Sequence, residues 1–185
     1  MNPKHLTGVS ILAGALFLGL SPLATGSAAN TTVAAHDSAE VSRLLKEART
    51  TAGKLAITTD HFHSYVRNRL DWRTHAEKAH QVKDEVNALG AQLADLEALH
   101  HQAAPWQQNV IESIRPILVQ IAQNTEFVIQ HISEKPRLLA LPEYQDALEQ
   151  KLELATQLAR LTDESVAYAE TKSKVEQLRG RLESN

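Results

Sequence analysis

Cysteine is absent from all 185 residues, and the only methionine is the initiator. The first absence removes disulfides, thiolate ligands and a cysteine nucleophile, so the fold must be held by packing alone. The second removes methionine as a haem or copper ligand. Aromatic residues make up only 4% of the chain, and the dominance of Leu and Ala is the composition of helical bundles rather than sheets. No Gly-rich phosphate loop and no Gly-x-Ser-x-Gly motif occurs. The Asp and Glu residues fall among Lys and Arg on outward helical positions, as a solvated face requires. The expectation is a protein that is not an enzyme.

Charge is also informative by what is missing. Nineteen Lys and Arg stand against 22 Asp and Glu, without the clustered basic face that phosphate neutralisation needs. A nucleic-acid partner is therefore not expected.

What is present begins at the N-terminus. Lys4 gives a short positive start, Val9 to Leu20 form an apolar run, Pro22 breaks it, and Ser27-Ala28-Ala29 offers small residues for cleavage. Residues 1–29 thus read as a signal peptide, with Ala29 as the last residue removed and Ala35 as a second candidate. The run is shorter than the roughly 20 residues of a spanning helix, and no cysteine follows to carry a lipid. The expectation is an exported protein, periplasmic or extracellular, with no permanent membrane anchor after cleavage. Removing Lys4 with this segment leaves 18 basic against 22 acidic side chains, a formal charge of −4.

After a polar stretch at 30–37, read as a flexible tether, residues 38–185 carry four helical patterns. Ser38 caps the first, in which Val41, Leu44, Leu45, Ala48, Ala52, Leu55, Ala56, Thr59, Phe62 and Val66 recur at spacings of three and four, to about Arg69. Its weak point is Ile57-Thr58-Thr59-Asp60, where β-branched residues and a new cap could break an otherwise single helix. Asp71 caps the second, from Trp72 to about Ala103, through Ala76, Ala79, Val82, Val86, Leu89, Leu93, Leu96 and His100. Pro105 opens the third, with Trp106, Val110, Ile114, Ile117, Leu118, Ile121, Phe127, Val128 and Ile132 as its stripe and Pro116 predicted to kink it. Pro142 opens the fourth, whose stripe is Tyr144, Leu148, Leu152, Ala155, Leu158, Thr162, Val166 and Ala169, continuing toward Leu182. The first two connections are short, so the predicted fold is all-α: an antiparallel up-down-up-down four-helix bundle. Many alanines narrow its seams, as in a coiled coil. A pair of long hairpins closed by dimerisation is the alternative.

Two Glu-x-x-His elements, Glu77 to His80 and Glu97 to His100, lie about 30 Å apart on one helix and cannot share a metal pair. The up-down topology instead gathers His61, His63, His75, His80 and His131 at one pole, with Tyr65, Trp72 and Tyr144. Of these, His61, His63, His75 and His131 are the candidate ligands for Zn or Cu, with Asp60 or Asp71 to complete the set. His61 and His63 point to nearly opposite sides of a continuous helix, so both can serve one ion only if the helix breaks near Thr59. Trp106 is read as a core anchor rather than a ligand platform.

The strings Trp72-Arg73-Thr74-His75-Ala76, Val86-Asn87-Ala88-Leu89-Gly90, Pro105-Trp106-Gln107-Gln108 and Asn124-Thr125-Glu126 resemble a group of uncharacterised exported bacterial all-helical proteins, over residues from about 60 to 183. That resemblance carries no activity with it. The likeness to periplasmic stress-chaperone bundles extends only to size and helicity, since their Leu-Thr-x-x-Gln repeats are missing. The functional expectation is a non-enzymatic exported helical bundle, an interaction or envelope-associated structural module that meets a protein partner, or a second copy as a homodimer, through its helix faces. The alternative is a small ligand- or metal-binding bundle that uses its His-rich pole. A third class, reversible association with a membrane surface, is disfavoured by the net charge and mixed-sign faces.

Overall fold

The computed structural model describes residues 37–68 and 70–184. The signal peptide expected at 1–29 and the tether expected at 30–37, Asp37 apart, lie outside the described residues. The described residues form four helices: α1 (Ala39–Arg67), α2 (Trp72–Ala98), α3 (Pro105–Glu134) and α4 (Pro142–Glu183), with a 3-10 turn at His100–Gln102 between α2 and α3. No strand occurs among the described residues. None of their helices is long and apolar enough to cross a membrane.

The helix starts follow their capping chemistry. Ser38 Oγ accepts from the Val41 amide at 3.4 Å, and Asp71 Oδ1 accepts from the amides of Arg73 and Thr74 at 2.8 and 3.3 Å, relieving donors that the first turn leaves unpaired. Pro105 and Pro142 occupy the first positions of α3 and α4. α1 is one continuous helix, unbroken at its weak point near Thr59. Thr58 and Thr59 are buried, and the Thr59 hydroxyl donates to the Leu55 carbonyl at 2.7 Å, so packing outweighs the modest helix propensity of threonine.

One boundary differs from expectation. α2 ends at Ala98 rather than near Ala103. Ala104 precedes a proline and is extended, with φ −63° and ψ 155°, as the proline ring demands. The Gln108 side chain braces the turn before Ala104, donating to the Ala103 carbonyl and to that of His100, which also accepts the Ala103 amide. Pro116 lies inside α3 without ending it.

α1 packs on α4 and α2, and α3 packs on the same two helices. Between them lies a core whose fully buried aliphatic side chains contribute about 1.5–3 kcal/mol each. In α3 the buried line is Gln107, Ile111, Ile114, Leu118, Ile121, Thr125, Val128 and Ile132, alternating steps of four and three. Trp106 and Val110, expected on this line, are half-buried at its edge, and Phe127 is exposed. In α4 the line is Tyr144, Leu148, Lys151, Ala155, Leu158, Thr162 and Val166. Leu152 is displaced to its margin. The stripe expected to continue to Leu182 ends as a buried feature at Val166, and Leu182 is 79% exposed.

One buried polar side chain joins two helix starts. Gln107 is fully buried, and its Oε1 accepts from the amides of Ser38 and Ala104 at 3.0 and 2.9 Å. Its Nε2 donates to the Ser38 carbonyl and to Ser42 Oγ, both at 3.0 Å. Beside this clamp, Asp37 accepts from Trp106 Nε1 at 2.7 Å and from Lys172 Nζ at 2.5 Å, so Asp37, expected within the tether, is tied to α3 and α4. Gln107→Ala removes all four bonds and leaves two main-chain donors to be satisfied elsewhere. A loss of about 2–4 kcal/mol in urea-unfolding stability is expected. A loss below about 1 kcal/mol would mean that solvent replaces the clamp without penalty.

Candidate functional site

The end of α1, the start of α2, the end of α3 and the start of α4 meet in a buried aromatic and imidazole cluster. Tyr144 is its centre, fully buried in the first turn of α4. His75, 1% exposed, has Nδ1 2.7 Å from Tyr144 Oη. Its ring meets Phe62 and Tyr65 edge-on, at centroid distances of 5.7 and 5.8 Å. His131 packs on Tyr144 at 5.0 Å, and its Nε2 donates to the Leu138 carbonyl at 3.2 Å.

Burial sets the protonation of this cluster. Desolvation lowers the pKa of His75, with the Asp71 charge and the Tyr65 carbonyl opposing it. Desolvation also pushes the Tyr144 phenol up. Both groups are thus held neutral near pH 7, and the phenol proton is donated to Nδ1 of an imidazole protonated on Nε2. The pair satisfies two buried polar groups with one bond.

Two of the four predicted metal ligands, His75 and His131, are brought together on Tyr144. The other two are not brought to that place. His61 is exposed and His63 half-buried, and in the continuous α1 they diverge by about 200°. Asp60 is exposed, and Asp71 is engaged as the cap of α2, whose N–H donors hold its carboxyl below the usual range. No group of three His, Asp or Glu able to hold an ion occurs among the described residues. The two Glu-x-x-His elements are also separate: Glu77 and His80 are exposed, while His100 Nε2 lies 2.9 Å from Glu112 and Glu97 pairs with Arg115 at 2.8 Å.

A cavity of about 780 Å³ opens beside the cluster, bordered by Tyr65, Arg67, Asp71, Trp72, His75 and Arg137 among others. Its size is that of small-molecule sites. Neither Arg67 nor Arg137 takes part in an ion pair among the described residues. Trp72, 41% exposed, stands between this cavity and a groove formed by Ala76, His80 and Ile129. The Arg73 guanidinium covers its ring at 4.7 Å.

Sequence reasoning missed Lys151, two turns beyond Tyr144 on the same face of α4. It is fully buried, and its Nζ has no hydrogen-bond partner among the described residues. The Phe62 ring, 5.2 Å away, is its aromatic neighbour. The signal was its spacing: Lys151 takes the slot between Leu148 and Ala155 that the alternation of four and three reserves for an apolar residue.

Desolvation pushes the Lys151 ammonium down from 10.5 to about 7. Between those values the unfolded chain holds a proton that the native chain does not. Stability therefore rises with pH through that window, by up to about 1.4 kcal/mol per pH unit, and the slope vanishes below it. Lys151→Met should abolish this slope and stabilise the fold most below pH 7. Parallel urea-unfolding curves from pH 6 to 10 check it, and identical slopes in both proteins would show that Lys151 stays charged in the core.

No family model, curated protein or solved structure matches the chain.

Proposed function

We propose that the chain is an exported, non-enzymatic helical bundle that works through its helix surfaces as an interaction or envelope-associated structural module. In this reading residues 1–29 are a signal peptide, and the four helices alternate up and down around coiled-coil-like seams. Supporting that arrangement, Ser38 bonds to Gln107 and His75 to Tyr144, while Asp37 meets Lys172.

The observation that carries the reading is the far end of α4. This helix has 42 residues against 27–30 in the others, and every residue from Ser173 to Ser184 is exposed. Val175, Leu178 and Leu182 within it are 59%, 49% and 79% exposed. Apolar residues at helical spacing on a projecting helix are a contact surface. A photo-crosslinker at Leu178 of the exported protein should trap a protein partner or a second copy, with far less product after truncation at Lys172. A strict monomer that yields no crosslinked species from any helix face would overturn the proposal.

A second reading, a small-ligand bundle, draws on the cavity beside His75 with its two arginines. It favours a small organic anion, and benzoate is a suitable probe. Millimolar benzoate should raise the melting temperature of wild type and not of the Arg67→Ala, Arg137→Ala double variant. An equal shift in both would remove the cavity as the site, and the same scan with Zn or Cu tests the metal alternative.

A further inference from the structure

We infer that the projecting end of α4 docks an amphipathic helix whose apolar seam is edged by acidic residues. This names the partner chemistry of the interaction reading above and rests on it. Tyr168, Thr171, Val175, Leu178 and Leu182 follow a seven-residue repeat, and at 100° per residue they occupy an arc of about 80°. Tyr168 is the hinge between this stripe and the folded body: it is 52% exposed and meets Trp106 edge-on at 5.0 Å.

The edges of the stripe identify what fits it. Lys172 and Arg179 flank one side, and Lys174 and Arg181 the other, while Glu170 and Glu176 lie further round the helix and Glu183, in its last turn, is the one acid as near the seam as Arg181. Lys172 is engaged with Asp37. The other three cations take part in no ion pair among the described residues. In a chain of net charge −3, an apolar seam bordered on both sides by cations is a local reversal of sign.

Charge at these positions selects coiled-coil partners. A second copy of the same stripe would set cation against cation in either parallel or antiparallel orientation. The chain's own residues 1–36 contain no Asp or Glu and so lack the acidic edge. The complementary occupant is an apolar helix with Glu or Asp on both sides of its seam, contributed by another protein.

A matched pair of labelled peptides of about three heptads tests this against the whole protein lacking residues 1–29. The two share one Leu and Ile seam and differ only in carrying Glu or Lys at every edge position. Fluorescence anisotropy should register binding of the Glu peptide at least about tenfold tighter than the Lys peptide, with the preference reduced by high salt. Lys174→Glu, Arg179→Glu and Arg181→Glu together should reverse it, and Val175→Asp with Leu178→Asp should abolish both. These positions are exposed, so unchanged helical circular dichroism separates lost docking from lost folding.

Equal affinity for the two peptides, or binding of neither, overturns the inference. So does self-association removed by Leu178→Asp, which would make a second copy the occupant, and so does adsorption to anionic vesicles without peptide discrimination. If the Leu178 crosslinker traps a partner while the peptides fail, the interaction reading stands and the acidic-edge inference falls. If both fail, both fall.

Discussion

Burial of one apolar stripe from each helix, with no disulfide across any seam, is the constraint on which everything else in this fold depends. Each helix covers its stripe with two neighbours, so no single pair can be removed without exposing the others. Apolar contact is tolerant of sliding, and a stripe of Leu and Ala alone specifies position along a helix poorly. The buried polar groups supply that specification. Gln107 makes four bonds only when the starts of α1 and α3 are level. Tyr144 reaches His75 only when the starts of α2 and α4 are level.

Lys151 is the opposite case within the same core. Gln107 is buried and fully matched, whereas the Lys151 ammonium is buried near an aromatic ring with no hydrogen-bond partner among the described residues. Its four methylenes fill the apolar slot well, and deprotonation removes most of the cost of its charge. The pole above it follows the same logic. A neutral imidazole and a neutral phenol share one proton bond, and the aromatic rings around them exclude water. That arrangement seals the end of the core while leaving a cavity edged by Arg67, Asp71 and Arg137 on its outer side.

Much of the fold was legible because the helix signals were local. Ser38, Asp71, Pro105 and Pro142 begin helices where their chemistry says they should, and the all-α class with four helices follows from periodicity. Register was harder. Trp106, Val110, Phe127 and Leu152 read as core by their apolar character, while Gln107, Thr125 and Lys151 hold buried positions. At Trp106 and Leu152 hydrophobicity marked a residue one place from the buried Gln107 and Lys151; the alternation of fours and threes marks the right ones. The gathering of His75 and His131 was legible from topology, but their individual bonds were not, because those depend on rotamers and on the path of the loop through Leu138. Continuity of α1 through Thr58 and Thr59 was obscured because packing, which decides it, has no local signature. The last turns of α4 read as core only because periodicity cannot tell a stripe that is covered from one that projects.

The seam between α1 and α4 also orders events in time. These are the first and last of the described helices, and the contact of Asp37 with Lys172 spans 135 residues. Closing so long a loop costs more entropy than joining neighbouring helices, so it follows the local pairings. Until α4 is complete, the stripe of α1 through Leu45, Ala48 and Leu55 lacks one of its two covers. A chain growing from its N-terminus therefore cannot finish folding on the way and must keep that stripe from aggregating until its final helix arrives. Its maturation is all-or-none at the level of synthesis, and the half-made molecule is the state most in need of a holding partner.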